Sequence, residues 1–169
     1  MPRPFVMWPD PRLKSVAEPV TQIDDQIHAI WAEMLEAMYA MPGLGLAAPQ
    51  LGIGLRLAVV DCGQARQPVR LANPKITWAA NTLRPWHEAS PNLPGLSAEI
   101  QRPAPVRVAY LDENGSEVER EFSDLWATSV QHQIDHLDGK LFIDRLSRLK
   151  RQRLLDKHRA DLKRRKRKA

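Results

Sequence analysis

Thirteen of the chain's 25 Lys and Arg residues fall within its last 25 positions, 145–169, where only two acidic residues accompany them. Charge at that density cannot enter a hydrophobic core. The fold must therefore be built from residues 1–144, which hold 12 Lys/Arg against 18 Asp/Glu. The overall net charge of +5 thus conceals a body of −6 and a tail of +11. We divide the chain there, into a domain at 1–144 and a basic C-terminal helix and tail at 145–169. A body of this length is about one domain. With 43% hydrophobic and 27% charged residues overall, the composition is that of a soluble globular protein. No stretch approaches the roughly 18 consecutive apolar residues of a membrane span. The segment Met1–Trp8 carries Pro2 and Pro4 and no long apolar core, which argues against a secretory signal. The single cysteine, Cys62, excludes an internal disulfide framework and fits a reducing, cytoplasmic compartment.

Within the body, the first twenty residues hold five prolines and read as a strap. Thr21 and Asp24 resemble a helix start, and Ile23, Ile27, Ile30, Trp31, Met34, Leu35 and Met38 recur at helical spacing over 22–40. Met41-Pro42-Gly43 ends that helix. Strands are expected over 55–60, from 69 up to Asn73-Pro74, and over 106–111 and 118–122, the last two joined at Asn114-Gly115. The proline-rich stretch 81–95 reads as a structured loop. Ser123 is placed to cap a helix over 124–137, with Gly139 at its left-handed end. A last, basic helix is expected over 146–162. These elements make a single-domain α+β fold.

Two segments carry candidate chemistry. In Gln131-His132-Gln133-Ile134-Asp135-His136-Leu137-Asp138-Gly139 the two histidines lie four apart on one helix face, near enough to share a metal. The HExxH arrangement has a glutamate after its first histidine, which relays the proton of metal-bound water. Here that residue is Gln133, whose amide cannot accept the proton. Alone, the pattern fits equally two partly exposed histidines on an amphipathic helix. The second segment, Gly43-Leu44-Gly45-Leu46-Ala47-Ala48-Pro49-Gln50, lets the backbone approach a neighbour closely and ends on a side chain that both donates and accepts. It lacks the Lys-Ser/Thr ending of a phosphate loop. Read alone, it is a structural turn as readily as a functional one.

Together, Gly-x-Gly-x-Ala-Ala-x-Gln near residue 45 and Gln-His-x-x-x-His-Leu-Asp-Gly near residue 135 resemble the first and third motifs of peptide deformylases. The family's middle motif, Glu-Gly-Cys-Leu-Ser followed by an apolar residue and Pro-Gly, aligns without gaps on Glu88-Ala89-Ser90-Pro91-Asn92-Leu93-Pro94-Gly95. The resemblance spans roughly residues 1–150. It implies a compact α+β domain with the histidine-bearing helix packed among β-sheets. It also implies a divalent metal (iron, with zinc or nickel as substitutes) held by two histidines and the middle-motif cysteine. The implied substrate is the formyl-methionine terminus of nascent chains. Carried over, His132 and His136 are the retained ligand positions, Gln50 the oxyanion donor, Gly45 a substrate backbone contact, and Glu88 with Arg102 a bracing ion pair.

Three positions depart from that pattern. Ser90 stands where the cysteine ligand belongs, and its protonated hydroxyl is a poor ligand for a soft or borderline metal. Pro91 follows and has no N–H to complete an oxyanion hole. Gln133 replaces the general acid/base. The expectation is a deformylase homologue lacking standard activity, with no metal or a weakly bound one. The alternatives are an active metallohydrolase whose metal site is completed by His87 or Glu88, and an RNA-binding protein that retains the fold. Cys62, at the end of an early strand, is poorly placed as a substitute ligand. Partners expected are nascent-chain N-termini and, through 145–169, ribosomal RNA, since the segment has many cations and no aromatic residue to stack on bases. Neither a membrane nor a disulfide partner is expected.

Overall fold

The computed structural model describes residues 2–169, so Met1 of the expected strap lies outside the described residues. The order is α1 (Asp25–Ala40), β1 (Gly45–Ala47), β2 (Leu57–Val60), β3 (Val69–Ala79), β4 (Leu83–Ala89), β5 (Ser97–Pro103), β6 (Val106–Leu111), β7 (Glu117–Phe122), α2 (Asp124–Leu137) and α3 (Arg148–Lys168). β1-β2-β3-β6-β7 form one antiparallel sheet, and β4-β5 form a separate hairpin.

The strands at the centre are buried on both faces, because helices cover both. Leu57 and Val59 pack with α1, through Ile27, Ile30, Trp31, Met34 and Met38. Ala58 and Val60, one residue out of phase, pack with Ala127, Val130, Ile134 and Leu137 of α2. The period of two thus divides the strand between two cores. α1 starts one turn later than Thr21 suggests. The Asp24 carboxylate accepts the Ile27 N–H at 3.0 Å, so Asp24 is itself the cap.

Three further expectations need correction. β3 does not stop at Asn73-Pro74. The register shifts there, Asn73 adopts φ +52°, and its side chain pairs with both backbone groups of Val20 at 2.9 and 2.8 Å, so the strand passes through a bulge and runs on to Ala79. The supposed loop 81–95 contains β4, which tolerates Pro85 because β4 is an edge strand. The segment Gly45–Ala47, read as a turn, is the edge strand β1, paired with β2.

The remaining elements follow the pattern closely. In the β6–β7 hairpin Gly115 takes φ +75° and Asp112 Oδ1 accepts the N–H groups of Asn114 and Ser116. Gly139 closes α2 at φ +74°, with the Lys140 N–H reaching back to the Asp135 carbonyl. α3 outruns its expected end by six residues. It is not a free tail: Leu155 is buried among Val6, Leu13, Leu93, Leu96, Phe142 and Ile143, and Trp8 of the strap meets His158 edge to face.

Candidate functional site

α2 is unusual in that all residues from Ala127 to Leu137 are buried, including Thr128, Ser129, Gln131, His132, Gln133, Asp135 and His136. A helix this polar enters an interior only if its side chains find partners there. His132 is 8% and His136 2% exposed, which removes the reading of two solvent-facing histidines.

For His132 and Asp135 those partners come from the β4-β5 hairpin and from Arg145, and Ser129 donates to the Leu44 carbonyl at 3.1 Å. Arg102 on β5 donates to both Glu88 oxygens, at 2.6 and 2.8 Å, and to Asp135 at 2.9 Å. Arg145 donates twice to Asp135, at 3.0 and 2.6 Å. The expected Glu88–Arg102 pair is therefore part of a longer ladder. Burial pushes the Glu88 carboxyl up, but the bonds from Arg102 and His132 outweigh it and hold it below the ordinary carboxylate range. Asp135 is likewise pushed up by burial and held low by Arg145 and Arg102.

Glu88 Oε1 also accepts from His132 Nδ1 at 2.7 Å. That bond places the proton on Nδ1 and turns the Nε2 lone pair toward His136 Nε2, 3.1 Å away. Burial, with His132 and Arg102 nearby, holds His136 well below its ordinary pKa and so neutral. The two Nε2 atoms thus converge on one point, as a shared ligand position requires.

The third side of that point is built differently. Ser90 donates its hydroxyl proton to Asn92 Oδ1 at 2.8 Å. Gln50 sends its amide N–H groups to the same Asn92 oxygen at 2.7 Å and to Ser90 Oγ at 3.3 Å, while its own Oε1 accepts the Ala47 N–H at 2.9 Å. Asn92, wholly buried, is anchored in turn by donating to the Val6 carbonyl. Sequence reasoning overlooked Asn92. The available signal was its place in the middle motif, where the family pattern has a serine.

A cavity of about 380 Å³ opens beside these groups, bordered by Gly43, Leu44 and Gly45 on one side and by Trp86, Ser90 and Pro91 on the other. Gln133 lies on its floor, packed so closely under Gly45 that any Cβ there would stand 2.6 Å from Nε2. Its Oε1 is buried and meets no donor.

Residues 2–152 match the family described as polypeptide deformylase. The chain belongs to the peptide deformylase family. It is 43% identical to a peptide deformylase of Phenylobacterium zucineum over 158 residues, covering 92% of this chain and 94% of that one. It is 45% identical to one from Methylocella silvestris over 161 residues, covering 92% and 82%. Among solved structures, a peptide deformylase from Legionella pneumophila superposes with a TM-score of 0.90 at 35% identity, covering 100% of this chain and 99% of the other. The deformylase fold is therefore this chain's fold, and enzymes of the family depend on a divalent metal.

The donor set here does not fit that metal. Among the described residues no group of three or more His, Cys, Asp or Glu side chains is placed to hold an ion. Both Glu88 oxygens are engaged with Arg102 and His132. His87, next to Glu88 on β4, is exposed. Cys62 lies beyond β2, outside the cavity lining, and burial pushes its thiol up to about 11. Among the described residues no helix is long and apolar enough to cross a membrane.

Proposed function

We propose that this chain is a deformylase homologue that keeps the pocket for a peptide's N-terminal methionine and has lost the means to hydrolyse its formyl group. The observation that carries this reading is the Ser90 hydroxyl, committed to Asn92 instead of to the convergence point of His132 and His136. Without a third anionic ligand the histidine pair holds a divalent ion weakly, and without the ion hydroxide is not available at neutral pH. Gln133 cannot take a proton, a loss of about 10²–10⁴ in rate, and a missing oxyanion donor costs about 10²–10³ more. These factors need not multiply, since groups acting as a unit are non-additive. What remains is binding: Gly45 at the edge of β1, the apolar walls of the pocket, and a polar floor at Gln133.

Turnover of a formyl-Met peptide by the unmodified protein, in the presence of nickel or iron, tests this. No turnover above a His132→Ala control is expected. Turnover abolished by His132→Ala would overturn the reading and favour an active enzyme with an altered metal site.

For α3 the proposed partner is the RNA surface of the ribosome. Support comes from its length of 21 residues, the burial of only Leu155 and His158, and the run of cations Lys163–Lys168 in its last turns. Phosphate contact by such a helix is salt-dependent through counterion release. Loss of ribosome cosedimentation on deleting 163–169 is expected, and unchanged binding would end the proposal.

A further inference from the structure

Residues 145–169 contain no aromatic side chain other than histidine, but the fold sets a tryptophan against them. Trp8 of the strap lies half-buried beside α3, with its ring in edge contact with His158 at a centroid distance of 5.6 Å. The Arg159 guanidinium lies over the ring, 5.2 Å from its centroid. Trp8 is held firmly in that place. Its N–H donates to the Asn92 carbonyl at 3.0 Å, and two residues earlier the Val6 N–H donates to the Gln50 carbonyl at 2.8 Å. The side toward His158 is closed, since His158 is 3% exposed. The Arg159 side chain is 54% exposed, so the ring face beneath it is turned toward solvent. Arg159, Lys163 and Lys166 recur at i, i+4 and i+7 and share one side of α3, a side that begins at Trp8. The acidic residues that neighbour these groups in the chain, Asp10, Asp156 and Asp161, are each paired with an arginine: Arg12, Arg159 and Arg164.

We infer that Trp8 and this side of α3 form one surface that takes an unpaired RNA nucleotide. The base stacks on the Trp8 ring, and Arg159, Lys163 and Lys166 hold the flanking phosphates. The inference rests on the RNA-binding reading of α3 proposed above and adds the form of RNA preferred. A base–aromatic stack is worth more than an exposed cation–π contact, and Arg159 loses little by leaving the ring because a phosphate takes its charge. Unpaired nucleotides can offer a base face to a side chain, whereas a duplex keeps its base faces stacked on one another. Cations without an aromatic partner would bind both forms by charge alone. The backbone bonds and His158 fix the ring in advance, so little side-chain freedom is lost when a base stacks on it.

Titration of the full chain with a short oligouridylate and with an RNA duplex of equal length separates the possibilities. Trp8→Leu is expected to weaken oligouridylate binding about tenfold, the order of one lost base stack, and to leave duplex binding and both salt slopes unchanged. A lowered urea midpoint in that variant does not blur the result, because a merely structural role for Trp8 would weaken both RNAs alike. Oligouridylate, and not the duplex, is also expected to quench the tryptophan emission of the unmodified chain. Trp8→Tyr, which keeps a stacking face, should retain most of the affinity and lose that quenching. Equal weakening of both RNAs by Trp8→Leu, no weakening of either, or quenching that persists in Trp8→Tyr would overturn the inference and leave the RNA-binding reading of α3 standing. If the unmodified chain bound neither RNA, that underlying reading would fall with it.

Discussion

At the scale of single residues, the site is governed by where a few protons point. Ser90, Pro91 and Gln133 are visible in the sequence as replacements, because each stands in a recognisable motif. Asn92 stands in the same motif, yet its effect emerges only from geometry: its Oδ1 gathers the protons of both Ser90 and Gln50. Restoring the ligand, the backbone donor and the base with Ser90→Cys, Pro91→Leu and Gln133→Glu should therefore give only partial deformylation. Adding Asn92→Ser, which releases Gln50, should raise kcat by about 10²-fold, the order of one oxyanion donor. Steady-state turnover of a formyl-Met peptide measures this, and equal rates in the triple and quadruple variants would clear Asn92. Arg102 offers a second test. Arg102→Met leaves the buried Glu88 carboxylate with His132 alone and Asp135 with Arg145 alone, at a cost of about 3–5 kcal/mol at pH 7. Both carboxyls are held low in the folded protein, so their stabilising share is full above the unfolded values near 4 and is lost as pH falls through the folded ones. In the variant the burial of Glu88 is no longer opposed by Arg102, so its carboxyl sits higher than in the parent protein. The gap between the two proteins in urea denaturation should therefore narrow from pH 7 to pH 4.5.

At the scale of elements, legibility followed amphipathicity. α1 and the β6–β7 hairpin announce themselves by periodicity and turn residues, and their structures agree with that reading to within a few residues. β4 and β5 do not, because only Glu88 on β4 and Ile100 and Arg102 on β5 are buried. A strand whose inward side chains are a carboxylate and a guanidinium shows no apolar alternation, and Pro85 further disguises it. α2 is ambiguous in the opposite way: its polar residues fit a wet face and a metal-sharing pair equally when read alone, and they are the interior of the site. That interior depends on how α2 ends. Gly139 has φ +74°, and a Cβ added there would lie 2.4 Å from the Lys14 carbonyl oxygen. Gly139→Ala must displace the strap from the end of α2. A loss of about 1–3 kcal/mol or more is expected, readable as a lowered urea midpoint. An unchanged midpoint would show that the strap contributes little to holding α2.

At the scale of the whole molecule, the charge division visible in the sequence does not coincide with the division of packing. The basic segment supplies Leu155 to the cluster beneath Leu93 and Ile100, so its first half belongs to the body and its last residues do not. Deleting 163–169 should leave the urea midpoint unchanged while lowering the salt slope of RNA binding by about 4–5, for six lost cations. Deleting α3 from 148 onward removes Leu155 and should cost at least the 2–5 kcal/mol typical of emptying one large apolar site. Across all three scales the account comes down to one property of the assembled pocket: two histidines converge on a point that no third ligand completes. Metal analysis of the purified protein, after exposure to nickel or iron and exhaustive dialysis, tests that property most directly. Retention well below one ion per chain, unchanged by His132→Ala and raised by Ser90→Cys, is the predicted result; a full equivalent held by the unmodified chain and lost in His132→Ala would contradict it.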